Sequence, residues 1–399
     1  MNDTTTGTSP EVLRERMVDR ILASQRLTPA VDAALRQVER HRYVPGAPIA
    51  DAYAEQAVIT HTFPDGTHLS CASGPTVVAA MLNALDVQPG HRILEIGAGT
   101  GYNAALLATL TGPGGTVTTI DINPDVTAAA RRNLDATGFD HVTVLTGDGA
   151  LGAPDHGPYD RIIVTVGAWD IPPAWWDQLV PGGRLVLPLR WRGTTRAVAF
   201  VKRDDHLASD WIYLCGFVPM LGQPGEQNTT IDPDGLVTIH YDVDQAVDLE
   251  ALQGVLNRDK TILWADATVD ANESLDRIWL HLTATYDGTV RIEADQKAVT
   301  TGLCTPAIAS RTPALVDGNS LAYFTIRRTE TPGLWQLGAA GHGPAGSQLA
   351  GHIIEQINTW ELARTTDPHL VAYPTDASAL SNIEGKVIAK PNIALILHY

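Results

Sequence analysis

The sequence predicts an α/β fold, a mainly parallel sheet with helices on both faces, followed by a C-terminal α+β domain. Three observations carry this reading. From residue 76 to about 190, strand-like apolar runs alternate with runs at helical spacing, the pattern of a parallel sheet with crossover helices. Residues 92–108, Arg-Ile-Leu-Glu-Ile-Gly-Ala-Gly-Thr-Gly-Tyr-Asn-Ala-Ala-Leu-Leu-Ala, read as a buried strand, a glycine turn and a helix. Beyond Pro224-Gly225 the pattern changes to short alternating strands.

The elements follow in order. Met1 to Pro10 is polar, without the charged head and apolar run of a signal peptide, and reads as a frayed lead-in. Residues 11–45 are helical: Val12, Met17, Ile21 and Leu22, then Val31, Leu35 and Val38, recur at helical spacing, and Thr28-Pro29 starts the second helix. Residues 46–75, with Pro48, Pro64, Gly66, Gly74 and Pro75, read as loop. Helices are expected at 76–86, 102–111, 124–137 and 172–179, and strands at 92–96, 116–120, 142–145, 160–166 and 184–189. Arg196 to Lys202 and Trp211 to Met220 complete the sheet.

In the second half, Leu236 to Val243, Ile278 to Tyr286 and Leu321 to Arg327 read as strands, as do Leu370 to Tyr373 and Ile393 to His398. Residues 346–363 read as a helix with Leu349, Ile353, Ile357 and Trp360 on one stripe. Trp264, Trp279, Trp335 and Trp360 are expected in the core, one of them being free to line a peptide groove. The divisions expected are N-terminal helices over 1–45 packing on the catalytic domain, that domain over 46–225, and an α+β domain over 226–399.

Composition narrows the classes. A chain of 399 residues with 44% hydrophobic content can bury two or three cores. The net charge of −17 argues against nucleic acid or an anionic membrane as partner, because both are held by Lys and Arg. Cys71, Cys215 and Cys304 are isolated, with neither a disulfide framework nor metal-ligand spacing, so no metal is expected and a cytoplasmic setting is. Arg190, Arg192, Arg196, Lys202 and Arg203 form a basic stretch around Trp191 and Phe200. It reads as a solvated strand pair or as a patch steering an acidic peptide.

The glycine turn specifies chemistry. Gly97, Gly99 and Gly101 let backbone approach a ligand closely, and the following helix offers free N–H groups. Asp121, closing the next strand, can accept both hydroxyls of a ribose. Glu95, two residues before the first glycine, disfavours a pyrophosphate and favours a cationic ligand. S-adenosyl-L-methionine fits, having ribose, amine and sulfonium but no phosphate; the domain is therefore expected to be a Rossmann-like methyltransferase. Gly147-Asp148-Gly149 follows the next strand, where Asp148 is either a turn residue or an acceptor for the adenine amino group, and Gly149 a cofactor contact. Ligands of such sheets bind at the carboxyl ends of the strands, where Gly97, Asp121, Asp148 and Gly167 all fall.

Residues from roughly 30 to 225 resemble the protein-L-isoaspartate (D-aspartate) O-methyltransferase family. The likeness lies in Arg42-Tyr43-Val44-Pro45, Ala52-Tyr53-Ala54-Glu55, the glycine motif, Tyr159 to Ala168, Pro181 to Pro188, and Phe217-Val218-Pro219-Met220-Leu221-Gly222. It implies methyl transfer from S-adenosyl-L-methionine to a carboxylate, with Tyr53, Gly167, Ala168, Val218 and Leu221 facing substrate. The family's Thr-Ile-Ser-Gln-Pro loop falls within Gly66 to Pro75, where this chain has three extra residues and lacks the glutamine. Counting from either end gives the substrate-facing serine as Ser70 or Ser73, and Ser73 can instead cap the helix at Pro75. His68 stands where the family has threonine, as a substrate contact or a solvated loop residue.

The chain is also longer than single-domain repair enzymes. That fused arrangement resembles methyltransferases of ribosomally made peptides (lanthipeptides, graspetides, lasso peptides), which esterify one aspartate and yield aspartimide or isoaspartate through a succinimide. The resemblance makes a constrained peptide the expected substrate partner, with general isoaspartyl repair as the alternative.

Overall fold

The computed structural model describes residues 8–399 except Asp65, Pro224, Ile383 and Glu384. Residues 1–7 of the polar lead-in and Pro224 of the boundary turn lie outside the described residues. The chain forms two compact units, Met1–Leu189 with Thr195–Gly222, and Arg190–Thr194 with Gln223–Tyr399.

The first unit begins with α1 (Pro10–Ser24) and α2 (Pro29–Gln37), each opened by a hydroxyl cap, Ser9 and Thr28, followed by proline. Met17, Val18, Ile21, Val31 and Leu35 of these helices are buried in the same core as Leu106 and Ile93. Next come α3 (Ile49–Ala52) and a hairpin of β1 (Val58–Thr62) and β2 (His68–Ala72), paired antiparallel with Ile59 opposite Cys71. The loop expected over 46–75 is corrected here. Val58 to Thr62 is rich in β-branched residues and Pro64-Asp65-Gly66 is a turn signature, so the hairpin's signal was present beneath its prolines and glycines.

The sheet is built from β3 (Arg92–Ile96), β4 (Thr116–Asp121), β5 (Thr143–Thr146), β6 (Tyr159–Val164), β7 (Leu179–Trp191), β8 (Thr194–Lys202) and β9 (Leu207–Cys215), in the order β9-β8-β7-β6-β3-β4-β5. Pairs β3–β4, β3–β6, β4–β5 and β6–β7 are parallel, and β8–β9 is antiparallel. The helices between them are α4 (Pro75–Leu85), α5 (Tyr102–Thr111), α6 (Pro124–Ala136) and α7 (Pro173–Gln178). Ile93 and Leu94 point to opposite faces of β3 and both are fully buried, so both faces of the central strand are covered. From β3 the chain runs outward through β4 and β5, then returns to β6 on the other side of β3. That reversal is a topological switch point, where strand ends splay and leave a crevice. The last strand lies at Leu207–Cys215 rather than 211–220, because residues 217–220 leave the sheet to bridge Gly167.

The second unit is α+β. Its seven-stranded sheet comprises β10 (Glu226–Thr230), β11 (Val237–Asp242), β12 (Lys260–Asp270), β13 (Thr289–Ala294), β14 (Thr312–Asp317), β15 (Ser320–Arg328) and β16 (Leu334–His342), in the order β10-β11-β13-β14-β15-β16-β12. Helix Gly346–Leu362 buries Leu349, Ile353, Ile357 and Trp360 in one cluster with Leu315, Phe324 and Leu337 of the sheet. A second cluster holds Ile239, Ile292 and Tyr323. Three further strands, β17 (His369–Pro374), β18 (Val387–Ala389) and β19 (Ile393–His398), pair antiparallel.

Residues 278–286, expected as a strand, form the helix Asp276–Thr285. The segment fits both periods: Ile278, Leu280 and Leu282 alternate, while Leu275, Ile278, Leu282 and Tyr286 mark a helical stripe that packs into the cluster with Ile353. Trp279 and Trp360 are buried; Trp264 and Trp335 are half-buried, Trp264 beneath the guanidinium of Arg327. The basic stretch, expected as a solvated strand pair or a steering patch, is mostly buried or paired, and only Arg203 of its five cations is exposed. Arg190 pairs with Glu226 at 3.2 Å, Arg192 with Asp242 and Asp244 at 3.0 and 2.8 Å, and Arg196 is buried. Lys202 donates to the Trp176 and Leu179 carbonyls.

Ile353→Ala should destabilise the second unit by about 2–5 kcal/mol, the cost of a buried cavity. Urea denaturation followed by tryptophan fluorescence measures it, and an unchanged midpoint would refute the packing described.

Candidate active site

The three glycines of the turn have different jobs. Gly97 has φ +100°, and a Cβ there would lie 2.5 Å from Thr165 Oγ1, which donates to the Gly97 carbonyl at 2.6 Å. Gly101 (φ +83°) precedes α5, and a Cβ there would press Leu134 and the Ala130 carbonyl of α6 at 3.1 and 3.2 Å. Both glycines are needed for packing within the protein. Gly101 was expected to touch the cofactor; the structure sets it against α6, outside the lining of the cavity. Gly99 (φ +51°) is the open one, with the Cys71 carbonyl and Ser70 Oγ 3.6 and 3.9 Å from where its Cβ would be.

A cavity opens beside Gly99. Its wall includes Gly97, Gly99, Thr100, Glu95 and Asp121 from the strand ends, Ser70, Cys71 and Ser73 from the hairpin and the loop after it, and Phe217 and Val218. Asp121 accepts from the Gly99 amide through Oδ2 at 3.3 Å and from the Asn123 amide through Oδ1 at 3.1 Å, which holds it upright at the end of β4. Glu95 is fully buried; its Oε2 accepts from Thr119 at 2.6 Å and its Oε1 from Asn103 at 2.8 Å. Burial pushes its pKa up to about 7, with the charge of Asp121 adding and the two hydrogen bonds opposing. A carboxyl so poised ionises readily when a cation comes beside it.

An adjoining cavity shares Leu69, Gly97, Asp121 and Val166 with the first and adds Asp148, Gly149 and Met220. Asp148 caps the short turn after it, Oδ1 accepting from the Ala150 amide at 2.9 Å, so the turn role is real and the residue also lines the cavity. Gly149 packs on Ile96, and its carbonyl accepts from Trp175 Nε1 at 2.9 Å.

A third, largely apolar groove runs off past Ile59, Phe63, His68, Leu69, Phe217 and Leu221, meeting the first cavity at Cys71, Ser73 and Val218. Both candidate serines thus lie on the same wall. Ser70 is buried, and its Oγ accepts weakly from Thr60 Oγ1 at 3.4 Å. Ser73 does not cap α4: the cap position is Gly74, with no side-chain bond. His68 is exposed on the groove. Gly167 and Ala168 sit behind the wall. Gly167 donates to the Val218 carbonyl at 2.7 Å and accepts from Met220, while the buried Ala168 donates to the Pro188 carbonyl. They position Val218 rather than line a cavity. Tyr53, expected to face substrate, is buried with its hydroxyl 2.8 Å from His41 Nδ1, away from all three cavities.

Several residues of this site escaped sequence reasoning. Asn103 and Thr119 hold Glu95, Thr165 braces the glycine turn, and Arg40 lines the cavity from a short helical turn (Arg40–Tyr43). Arg40 lies two residues before the Arg42-Tyr43-Val44-Pro45 segment, which was the available signal.

Three comparisons bear on this geometry. A family model described as protein-L-isoaspartate(D-aspartate) O-methyltransferase matches residues 12–225. The chain is 39% identical over 217 residues to a protein-L-isoaspartate O-methyltransferase of Methanopyrus kandleri, covering 54% of this chain and 93% of the relative. It is 42% identical over 215 residues to one of Aeropyrum pernix, covering 53% and 80%. A solved structure described as a protein-L-isoaspartate O-methyltransferase matches 90% of this chain and 96% of its own, with a TM-score of 0.50 and 20% identity. No described helix is long and apolar enough to cross a membrane, and no described group of His, Cys, Asp and Glu could hold a metal ion.

Asp121→Ala should weaken binding of S-adenosyl-L-homocysteine by about 1–3 kcal/mol, the weight of charge-assisted hydrogen bonds, as read by calorimetry. Unchanged affinity would remove Asp121 from the site. Because the folded-state pKa of Glu95 is raised from 4.5 to about 7, its contribution to stability is full below pH 4.5 and is lost as pH rises through 7. The ligand-free protein should therefore lose Tm between about pH 5 and 8 more steeply than Glu95→Gln, and parallel profiles would overturn this.

Proposed function

The chain belongs to the protein-L-isoaspartate(D-aspartate) O-methyltransferase family and uses S-adenosyl-L-methionine as methyl donor, and from that premise we propose that the cavity beside Gly99 esterifies L-isoaspartyl carboxyl groups of proteins and peptides. The observation that carries this is the meeting, on one wall, of the strand-end residues Glu95, Gly99 and Asp121 with Ser70, Ser73 and an apolar groove.

When bound, the donor supplies an electrophilic methyl carbon on a sulfonium. The chain's residues do the rest by position. Asp121 would take the ribose hydroxyls, Asp148 and Gly149 would border the adenine, and Glu95 would meet the ammonium group. The accepting carboxylate is already ionised near pH 7, so no base is required of the protein. Ser70 or Ser73 donates a hydrogen bond to one carboxylate oxygen, leaving the other free to attack. Leu69, Phe217 and Val218 exclude water from the line of transfer, so that the catalysis is chiefly orientation. The ester that forms is then attacked by the following residue's amide nitrogen, which expels methanol and closes a succinimide outside the enzyme's chemistry. Free cysteines at 71, 215 and 304 suit a reducing, cytoplasmic setting.

A second reading, esterification of one ordinary aspartate in a constrained ribosomal peptide, is favoured by the altered serine loop, which here is a hairpin strand carrying His68 and Ser70. The length of the chain no longer argues for it. A structure described as a protein-L-isoaspartate O-methyltransferase spans 90% of this chain, so a second unit is compatible with an isoaspartyl acceptor.

Incubation with S-adenosyl-L-methionine and an unstructured L-isoaspartyl peptide should release S-adenosyl-L-homocysteine. Turnover only on a cyclic L-aspartyl peptide would transfer the case to the second reading. Of Ser70→Ala and Ser73→Ala, one should lower kcat about 10-fold or more with the affinity for S-adenosyl-L-homocysteine intact, as for loss of a hydrogen bond to a charged group. Full turnover in both variants would end the serine's role.

A further inference from the structure

Arg40 is completely buried, and its guanidinium is only partly used. Nε donates to the Ala52 carbonyl at 2.7 Å, and Nη2 donates to the Ala72 and Ser73 carbonyls at 3.1 and 2.7 Å. Nη1 has no partner, and among the described residues no carboxylate lies within ion-pairing distance of this group. The guanidinium stands over the ring of Tyr102, 5.0 Å from its centroid, and the buried Tyr102 hydroxyl is without a partner too. A buried cation lacking a counter-charge and two orphaned donors on one wall are each costly. Both residues line the cavity beside Gly99, where Arg40 is the one cation among lining side chains whose other charges are Glu95 and Asp121.

The charges of the methyl donor sort onto these groups. Its ammonium and ribose find carboxylates in Glu95 and Asp121; its own carboxylate finds neither. We infer that Arg40 Nη1 and the Tyr102 hydroxyl together receive the amino-acid carboxylate of the methyl donor. This rests on the donor site proposed above and adds a charge requirement to it. An accepting carboxylate is the poorer occupant, because a guanidinium on it would draw electron density from the attacking oxygen, whereas the donor's carboxylate takes no part in transfer. The same arginine clamps the carbonyls of Ala72 and Ser73, so donor recognition and the placement of the serine segment share one side chain.

Calorimetry with two ligands tests this, S-adenosyl-L-homocysteine and its decarboxylated analogue S-adenosyl-3-thiopropylamine, which keeps the amine and lacks the carboxylate. The wild-type protein should prefer the former by roughly 10-fold or more, the weight of a charge-assisted hydrogen bond. Tyr102→Phe, which removes a single hydroxyl, should weaken the carboxylate-bearing ligand and leave the analogue's affinity unchanged, while Arg40→Lys, which also loosens the Ala72 and Ser73 carbonyls, should weaken the carboxylate-bearing ligand more than the analogue. Equal weakening of both ligands would mean a structural role and overturn the inference. So would an unchanged affinity accompanied by a raised KM for the isoaspartyl peptide, which would give the site to the acceptor. If the wild-type protein binds neither ligand, the donor site itself fails and this inference with it; binding of both with equal affinity refutes the inference alone.

Discussion

A carboxyl group taken wholly out of water needs hydrogen bonds, and the supply of those bonds to Glu95 organises the first unit. One oxygen is answered from β4 by Thr119 and the other from α5 by Asn103. The central strand, its neighbour and the helix after the glycine turn are thereby locked into one arrangement around a single residue. Asp121 stands at the end of that neighbouring strand and takes the Gly99 amide, which fixes the turn between them. The open face of Gly99 is a result of this bracing.

Much of this was legible in the sequence, for a definite reason. β3, β4 and β6 are buried along most of their length and carry short apolar or β-branched runs (Ile93-Leu94, Val117 to Ile120, Ile162 to Val164) closed by glycine or acidic residues, which marks them as strands. Strand ends therefore fell where Gly97, Asp121 and Asp148 were expected. What was not legible depends on contacts distant in sequence. The Pro64 to Gly66 turn masked a hairpin as loop, and Ile278 to Tyr286 satisfied two periods until the stripe on Ile353 selected the helical one. Arg190 and Arg192 gave no hint of their pairing, because the carboxylates of Glu226, Asp242 and Asp244 lie more than 30 residues away in sequence. Arg40 was hidden similarly: its partners are backbone carbonyls of Ala52, Ala72 and Ser73, which carry no residue signature at all.

The second unit is stabilised differently. Its sheet is antiparallel throughout the pairs described, with one apolar cluster under the helices Asp276–Thr285 and Gly346–Leu362 and another holding Ile239, Ile292 and Tyr323. The segment Arg190–Thr194 belongs to it although it interrupts the first unit's chain. The Arg192 bonds to Asp242 and Asp244 and the Trp279 bond to the Arg192 carbonyl hold that segment there. Two crossings of the chain, at 190 and at 195, therefore join the units in addition to the one near 222, so the second unit is not a tail that simply follows the first.

The unlike surroundings of the three glycines have an evolutionary corollary. At positions 97 and 101 the obstacle to a side chain is the protein's own Thr165 or Leu134, so drift there is checked by folding. At position 99 the protein itself leaves room, the Cys71 carbonyl and Ser70 Oγ standing 3.6 and 3.9 Å from where a Cβ would be, and the backbone dihedral is one that asparagine tolerates. Lineages that have abandoned methyl transfer but kept the fold should accordingly retain the outer two glycines and lose the middle one, a signature by which silent descendants can be told from working relatives.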